Sequence, residues 1–342
     1  MEGDNGDHNK GPLVSVLVAT HNGENTIQEA LDLVCDSTYK NIEIVILDDA
    51  STDGTYQICE KIAEVDSRVF LQRNPTNLGI VETYNKLIGL SQGKYLLWND
   101  QDDVRDVTFV EKAVRCMESD PDVVLCHSYT LVTVNNLPVH ATKIDSIVNQ
   151  RKLIQRFWNL LRTFSDITIY GLIRRDSMLK TNLWQPVPGS ANVLLSELLL
   201  VGPYAQISEL LFTYRGKGLT NRPDVEQEAA RAMPNQEKTF GKPWMTIAHR
   251  QFGGILRAKN LTNWEKTILS IMLWSHILFT NCLKLFYRVF RRFLPRVAKI
   301  LFYPVFARAV YSKRDINYII DPSTRPDIYP PEWPLVNPVR NL

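Results

Sequence analysis

Residues 13–18, 42–47 and 94–98 are short runs, apolar at nearly every position, and each stops at a polar or acidic cluster. Such runs suit parallel strands covered by helices on both faces, because a strand with one wet face alternates apolar and polar residues. Residues 123–126 make a fourth run of the same kind. The segments between them repeat at helical spacing: Ile27, Ala30, Leu31 and Val34; Tyr56, Cys59, Ile62 and Ala63; Val81, Tyr84, Leu87 and Ile88; Phe109, Val110, Ala113, Val114 and Met117. Thr26 followed by Glu29 reads as a capping box for the first of these helices. Strand and helix alternating at this rhythm predict a doubly wound α/β domain.

In such a domain the loops that follow parallel strands emerge on one edge of the sheet, where ligands bind. Here they are ATHNG (19–23), DDASTDG (48–54) and NDQDD (99–103). The last gathers Asp100, Asp102 and Asp103 into four positions, with Asp106 close behind. Carboxylates that close repel and raise each other's pKa, so the turn is either fully solvated or holds a cation. Asp103 and Asp106 also read as helix-start residues ahead of 109–117, where negative charge suits the helix dipole. The chain contains neither G-x-G-x-x-G nor G-x-x-x-x-G-K-[ST], which removes the dinucleotide and phosphate-loop readings.

The 342 residues allow one large domain with an appendage, or two domains. A net charge of +2 conceals an asymmetry. Residues 1–241 carry 23 Lys/Arg against 32 Asp/Glu, and residues 242–318 carry 14 against 2, so the two regions are expected to meet different partners. Five cysteines without a C-x-x-C pair read as small core residues in a reducing compartment. Residues 1–12, polar and Gly-rich, lack the pattern of a signal peptide and are expected to form a disordered tail, which makes cytoplasmic synthesis the expectation.

The motifs VSVLVATHNG (14–23), NIEIVILDDASTDGT (41–55), NLG (77–79) and GKYLLWNDQDD (93–103), in this order, resemble the nucleotide-sugar-binding half of the family 2 glycosyltransferases. The resemblance covers about the first 130 residues. It implies a GT-A-type, mostly parallel doubly wound sheet flanked by helices over 13–220, with a nucleotide-sugar half at 13–130 and an acceptor half at 131–220. It also implies roles for particular residues. Asp49 matches the carboxylate that accepts the uracil N3–H of a UDP-sugar. Ala19, Thr20, His21 and Asn22 match the wall of the base pocket, with the His21 ring placed to stack on uracil, and Asn77 belongs to the NLG element. Asp100, Gln101 and Asp102 match the D-x-D element. In it Asp102 is the direct ligand of Mn²⁺ or Mg²⁺ and Asp100 lies nearer the ribose or sugar, also within the metal's reach. The reaction implied is metal-dependent, inverting transfer of a sugar from a nucleotide, UDP foremost, to a hydroxyl of a glycan or lipid-linked acceptor.

The acceptor half departs from the family. Residues 198–215 resemble its helix, Gly turn, strand and terminal Tyr-Arg pair, but Ala191 and Asn192 stand where members commonly place the catalytic-base Asp. Glu197 and Asp166, the latter before the strand-like ITIYG (167–171), are the alternatives for that base. Arg174, Arg175 and Arg215 are candidate contacts of acceptor or diphosphate. Two rival functions remain open: a nucleotide-binding scaffold on the same fold, favoured by Ala191 and Asn192, and a nucleotidyltransferase, disfavoured because 19–23 lacks a basic Gly-rich loop.

Residues 267–283 contain no Asp, Glu, Lys or Arg, and 284–303 interleave cations with aromatics. This composition suits a helix lying in a membrane interface at the cytoplasmic face, with 264–310 as the contact. Packing on the catalytic domain and homo-oligomerisation are the alternatives, and the amount of Phe, Leu and Ile speaks against nucleic acid. A helical region over 221–318 and an extended Pro-rich tail over 319–342 complete the expected organisation.

Overall fold

The computed structural model describes residues 11–134, 137–142, 150–163, 165–187, 189–216 and 243–293. The expected tails at 1–12 and 319–342 lie outside these residues, apart from Gly11 and Pro12, as do 294–303 and, of the expected helical region 221–318, residues 221–242 and 294–318.

The apolar runs are strands β1 (Val14–Thr20), β2 (Ile42–Asp48) and β4 (Tyr95–Trp98), and β1 and β4 are buried at every position. They are joined by β3 (Val69–Arg73) in the parallel order β3-β2-β1-β4. Helices α1 (Ile27–Cys35), α2 (Thr55–Val65) and α3 (Ile80–Leu90) make the crossovers. The sheet continues through β8 (Leu172–Arg174), antiparallel to β4, and β6 (Leu125–Val134), antiparallel to β8. Beyond these lie β9 (Tyr204–Gly216), parallel to β6, then the two-residue β5 (Val104–Arg105), while β7 (Leu137–Thr142) pairs with the other part of β6. The fold is the expected mixed α/β one with a mostly parallel sheet in the nucleotide-binding half.

Successive strand residues point to opposite faces, and the core divides accordingly. Val14, Val16 and Val18 pack with α1, α2 and α4 (Phe109–Ser119). Leu17, Ala19, Leu96 and Trp98 pack with α3, α5 (Leu153–Thr163), the short α6 (Arg175–Met178) and α7 (Ser190–Val201). Against this second layer lie α8 (Pro243–Arg257) and α9 (Asn263–Phe293), whose Ile255, Leu269 and Leu273 are fully buried. Cys59 and Cys126 are buried free thiols, and Cys35 and Cys116 are half-buried ones.

Two local expectations are corrected. Thr26 is the N-cap of α1, but no side-chain hydrogen bond closes a capping box, because Glu29 pairs instead with Arg215 through two 2.7 Å bonds. Asp166–Tyr170 is a 3-10 turn, and the strand begins only at Leu172. Gly171 lies so near β6 that an added Cβ would stand 2.7 Å from the Cys126 carbonyl, and the turn swings Tyr170 towards Asp100.

Candidate active site

The loops after β1, β2 and β4 meet at the carboxyl edge of the sheet and are held together by side chains. Asp49 is buried, and its two oxygens accept from Leu78 N at 2.9 Å, Asn74 Nδ2 at 2.8 Å and Gly79 N at 2.8 Å. Gly79 has a φ of 86° and a ψ of 161°, an essentially glycine-only conformation that costs another residue about 1–3 kcal/mol, so NLG delivers two backbone donors to Asp49 only with glycine in third place. A carboxylate offers about four lone-pair sites, so these three bonds fill all but one of them.

His21 joins three of these segments. Its Nδ1 lies 2.8 Å from the Asp49 carbonyl, which can only accept, so Nδ1 carries the hydrogen. Nε2 then accepts from the amides of Asn77 at 3.2 Å and Asn22 at 3.3 Å. Gln101 ties in the third loop: its Oε1 accepts from Thr20 Oγ1 at 2.6 Å and His21 N at 3.0 Å. Thr20, His21, Asn22, Asp49, Asn77 and Gln101 therefore form one bonded network, with Ala19 buried beneath it.

The acidic turn beside it sorts its carboxylates by environment. Asp106 is exposed and accepts from Thr108 N at 2.8 Å ahead of α4, as a helix-start residue should. Asp100 accepts from the hydroxyls of Tyr84 and, at 2.6 Å, Tyr170. Burial raises its pKa, the two phenols pull it back, and Asp102 pushes it up again. Asp103 is 2% exposed, its Oδ2 has no partner, and burial with the neighbouring Asp100 and Asp102 pushes its pKa well above the usual range. The compensating protein cation is Arg105, sandwiched 4.6 Å from the rings of Phe109 and Phe212, with its own pKa brought down to about 10 by burial.

Asp102 is half-buried, and among the described residues no hydrogen bond or ion pair reaches its carboxylate. These oxygens fit a hard divalent cation, which is content with one or two carboxylates, waters and phosphate oxygens. Among the described residues no cluster of three or more His, Cys, Asp or Glu forms a complete protein cage, so the remaining ligands would come from the substrate and water. Asp102 would hold the ion directly, while both oxygens of Asp100 already accept from tyrosines.

The raised pKa of Asp103 makes stability pH-dependent. A carboxylate whose folded pKa lies above its unfolded value binds more protons in the folded state, so its effect is most favourable below the unfolded pKa and is lost as pH rises through the folded one. In chelator, the melting temperature should therefore fall as pH rises above about 4, the unfolded value. Asp103→Asn should flatten that slope, as melting curves of the two proteins across pH would register. Asp66, lowered to about 2 by Arg68, acts only below that window.

The acceptor side is built differently from expectation. Glu197 is 5% exposed and accepts from Asn182 N at 2.6 Å, Asn182 Nδ2 at 2.8 Å and Gln185 Nε2 at 3.3 Å. It anchors the 182–185 loop and is not presented as a free base. Asp166 is exposed and opens the turn whose last residue, Tyr170, reaches Asp100. The Tyr214 hydroxyl, raised in pKa chiefly by burial and next by Asp166, Asp103, Asp100 and Asp102, lies within the field of all four carboxylates. Ala191 and Asn192 occupy the first turn of α7. Arg174 and Arg175 do not serve the site. Arg174 bonds Val123 O, Met117 O and the Tyr95 hydroxyl, and Arg175 the carbonyls of Ile88 and Ser91, at the opposite end of β4 from Asp100. Arg215 is held by Glu29, whose hydrogen bonds raise its pKa, and the charges of Asp102 and Asp103 add to the same direction.

Sequence reasoning gave no site role to Tyr84, Tyr170 or Arg105, and named Tyr214 only as half of the terminal Tyr-Arg pair. For the tyrosines the available signal was a polar-tipped ring at a core position, since a buried Tyr hydroxyl usually finds a partner.

The profile of the family described as "Glycosyl transferase family 2" matches residues 15–180. Residues 15–180 are a family 2 glycosyltransferase domain. An uncharacterized glycosyltransferase of Haemophilus influenzae is 35% identical over 123 residues, covering 36% of this chain and 38% of its own. An Escherichia coli enzyme named UDP-Glc:alpha-D-GlcNAc-diphosphoundecaprenol beta-1,3-glucosyltransferase is 35% identical over 108 residues, covering 32% and 42%. The matches thus span about two-fifths of these relatives. Staphylococcus aureus TarS 1–349, solved in complex with UDP-GlcNAc, superposes with a TM-score of 0.58 at 17% identity, covering 92% of each chain. That likeness shows the fold, which is of the GT-A type.

Proposed function

We propose that this chain transfers a sugar from a UDP-sugar to a hydroxyl of a glycan or lipid-linked acceptor, with inversion at the anomeric carbon. What supports the reading is the bonded network that joins the loops bearing Asp49 and Asp102, together with the Asp102 carboxylate, which no described residue bonds. Asp49 accepts the uracil N3–H, and His21, its ring fixed at both nitrogens, presents a face to the base. Asn77 and Gln101 keep the pocket's walls in register. A divalent ion bound at Asp102 would neutralise the departing diphosphate. The UDP specificity draws on the named substrate of the E. coli relative.

In a single displacement the acceptor oxygen bonds to the anomeric carbon as the bond to the diphosphate breaks, and the acceptor proton passes to a carboxylate. Asp166, exposed at the start of the turn that carries Tyr170 to Asp100, is our candidate for that carboxylate, since Ala191 and Asn192 carry no acid. Asp166→Asn should lower kcat by about 10²–10⁴-fold, the usual worth of general-base catalysis, and leave UDP affinity unchanged.

The loss of an acid at 191 and 192 favours one second reading, a nucleotide-binding protein without turnover. Incubation with a panel of UDP-sugars and Mn²⁺ and an assay for free UDP separates the two. Metal-dependent release supports the transferase, and UDP binding without release from any donor supports the second reading.

A further inference from the structure

Helix α9 is apolar on two faces, and the protein covers one of them. Leu269 and Leu273 are buried and Met272 and Ile277 pack partly against the core. On the other side Trp264, Ile271, Trp274 and Leu278 are 71%, 64%, 42% and 66% exposed. With the exposed Thr267 they recur at intervals of three and four residues, which makes one stripe along the helix, and Phe279 lies beside its end, 62% exposed. A surface helix ordinarily turns polar residues to water, and an apolar patch this long marks an interaction site. On the core-facing side of α9, away from this stripe, Met272 and Glu265 line a groove of about 570 Å³ with Leu153, Ile154 and Trp158 of α5, so the groove is not part of the stripe.

Charge identifies the occupant. From 267 to 314 the chain has no Asp or Glu, and it has nine Lys and Arg from 284 onward, four of them in the last turns of α9 itself. A second copy aligned on the same stripe would bring like charges together, whereas an anionic surface is complementary. No helix among the described residues is long and apolar enough to cross a membrane. A helix with bulky apolar residues along one stripe and a basic continuation is built to lie in an interface. We propose that the exposed stripe of α9 seats the protein on the surface of a bilayer rich in anionic phospholipid, with Trp264, Ile271, Trp274, Leu278 and Phe279 entering the boundary between headgroups and acyl chains.

The test is flotation of the full chain with vesicles of phosphatidylcholine alone or mixed with phosphatidylglycerol, at low and high salt, against the double variant Ile271→Glu/Leu278→Glu. Both positions are exposed, so melting temperature should be unchanged and the variant monomeric or oligomeric exactly as its parent is. The expected result is recovery with the anionic vesicles that drops at least about tenfold in the variant, in pure phosphatidylcholine and at high salt. Equal recovery of variant and parent, or no flotation of either, overturns the proposal. A solution dimer that the variant converts to monomer, without vesicle binding by the parent, assigns the stripe to a second copy and overturns it too. No sugar donor is needed, so failure here leaves the transferase reading standing.

Discussion

Asp102→Ala should reduce sugar transfer on the order of 10³-fold or more while the protein folds as before. The activity loss follows from the ion it would hold: a divalent charge on a leaving diphosphate contributes several kcal/mol, and about 1.4 kcal/mol is tenfold in rate. The fold is spared because no described residue bonds to the Asp102 carboxylate, and surface substitutions of this kind stay within about 0.5 kcal/mol. Removing one of three crowded carboxylates also relieves Asp100 and Asp103, both raised in pKa partly by Asp102, so in chelator the variant should melt no lower than the parent. Steady-state assays with Mn²⁺, paired with melting curves with and without the ion, check both halves. A stabilisation by Mn²⁺ in the parent should vanish in the variant.

Asp49→Ala should behave in the opposite way and damage the fold itself. It strips acceptors from the backbone N–H groups of Leu78 and Gly79 and from the Asn74 amide in a buried site. Each stranded buried donor costs about 1–3 kcal/mol, so the loss should reach about 3 kcal/mol or more. For a domain of this size that lowers the melting temperature by roughly 6–12 °C. UDP affinity should fall with it, because the NLG loop and the Asn77 contact to His21 depend on the same carboxylate. Asp49→Asn keeps one oxygen but turns an NH₂ towards a donor, so its melting temperature should lie between those of parent and alanine variant. Differential scanning fluorimetry and UDP titration of the three proteins decide this.

These two aspartates also show what a sequence can disclose. Strands such as β1 were legible because every residue from Val14 to Thr20 is buried and the run is apolar almost throughout. By contrast β3, VFLQR, lies at the sheet edge with half-exposed positions and carries no such run, so it went unread. Helices were legible where one stripe faces the core, as in α4. The capping box at Thr26 failed for a long-range reason, since Arg215 lies 186 residues away and takes Glu29. The 3-10 turn at Asp166 failed similarly, because ITIYG has strand composition but Gly171 must pass under the Cys126 carbonyl and Tyr170 must reach Asp100.

At the site, residues carried by contiguous motifs came together in space as ordered strands require. Those drawn from elsewhere did not show themselves. Glu197 reads as an exposed helix charge or a base and is instead the buried acceptor for a loop 12 to 15 residues earlier. Only the folded chain reveals that two tyrosines from α3 and from the turn at Asp166 close on the carboxylate of Asp100, leaving Asp102 open.

A crystal of the protein grown with a UDP-sugar and Mn²⁺ tests the central claim most directly. The account predicts an anomalous peak at coordination distance from an Asp102 oxygen, bridging to the diphosphate, and uracil N3 within hydrogen-bond reach of Asp49. A donor bound elsewhere, or an ion at the rim that does not touch Asp102, would contradict it.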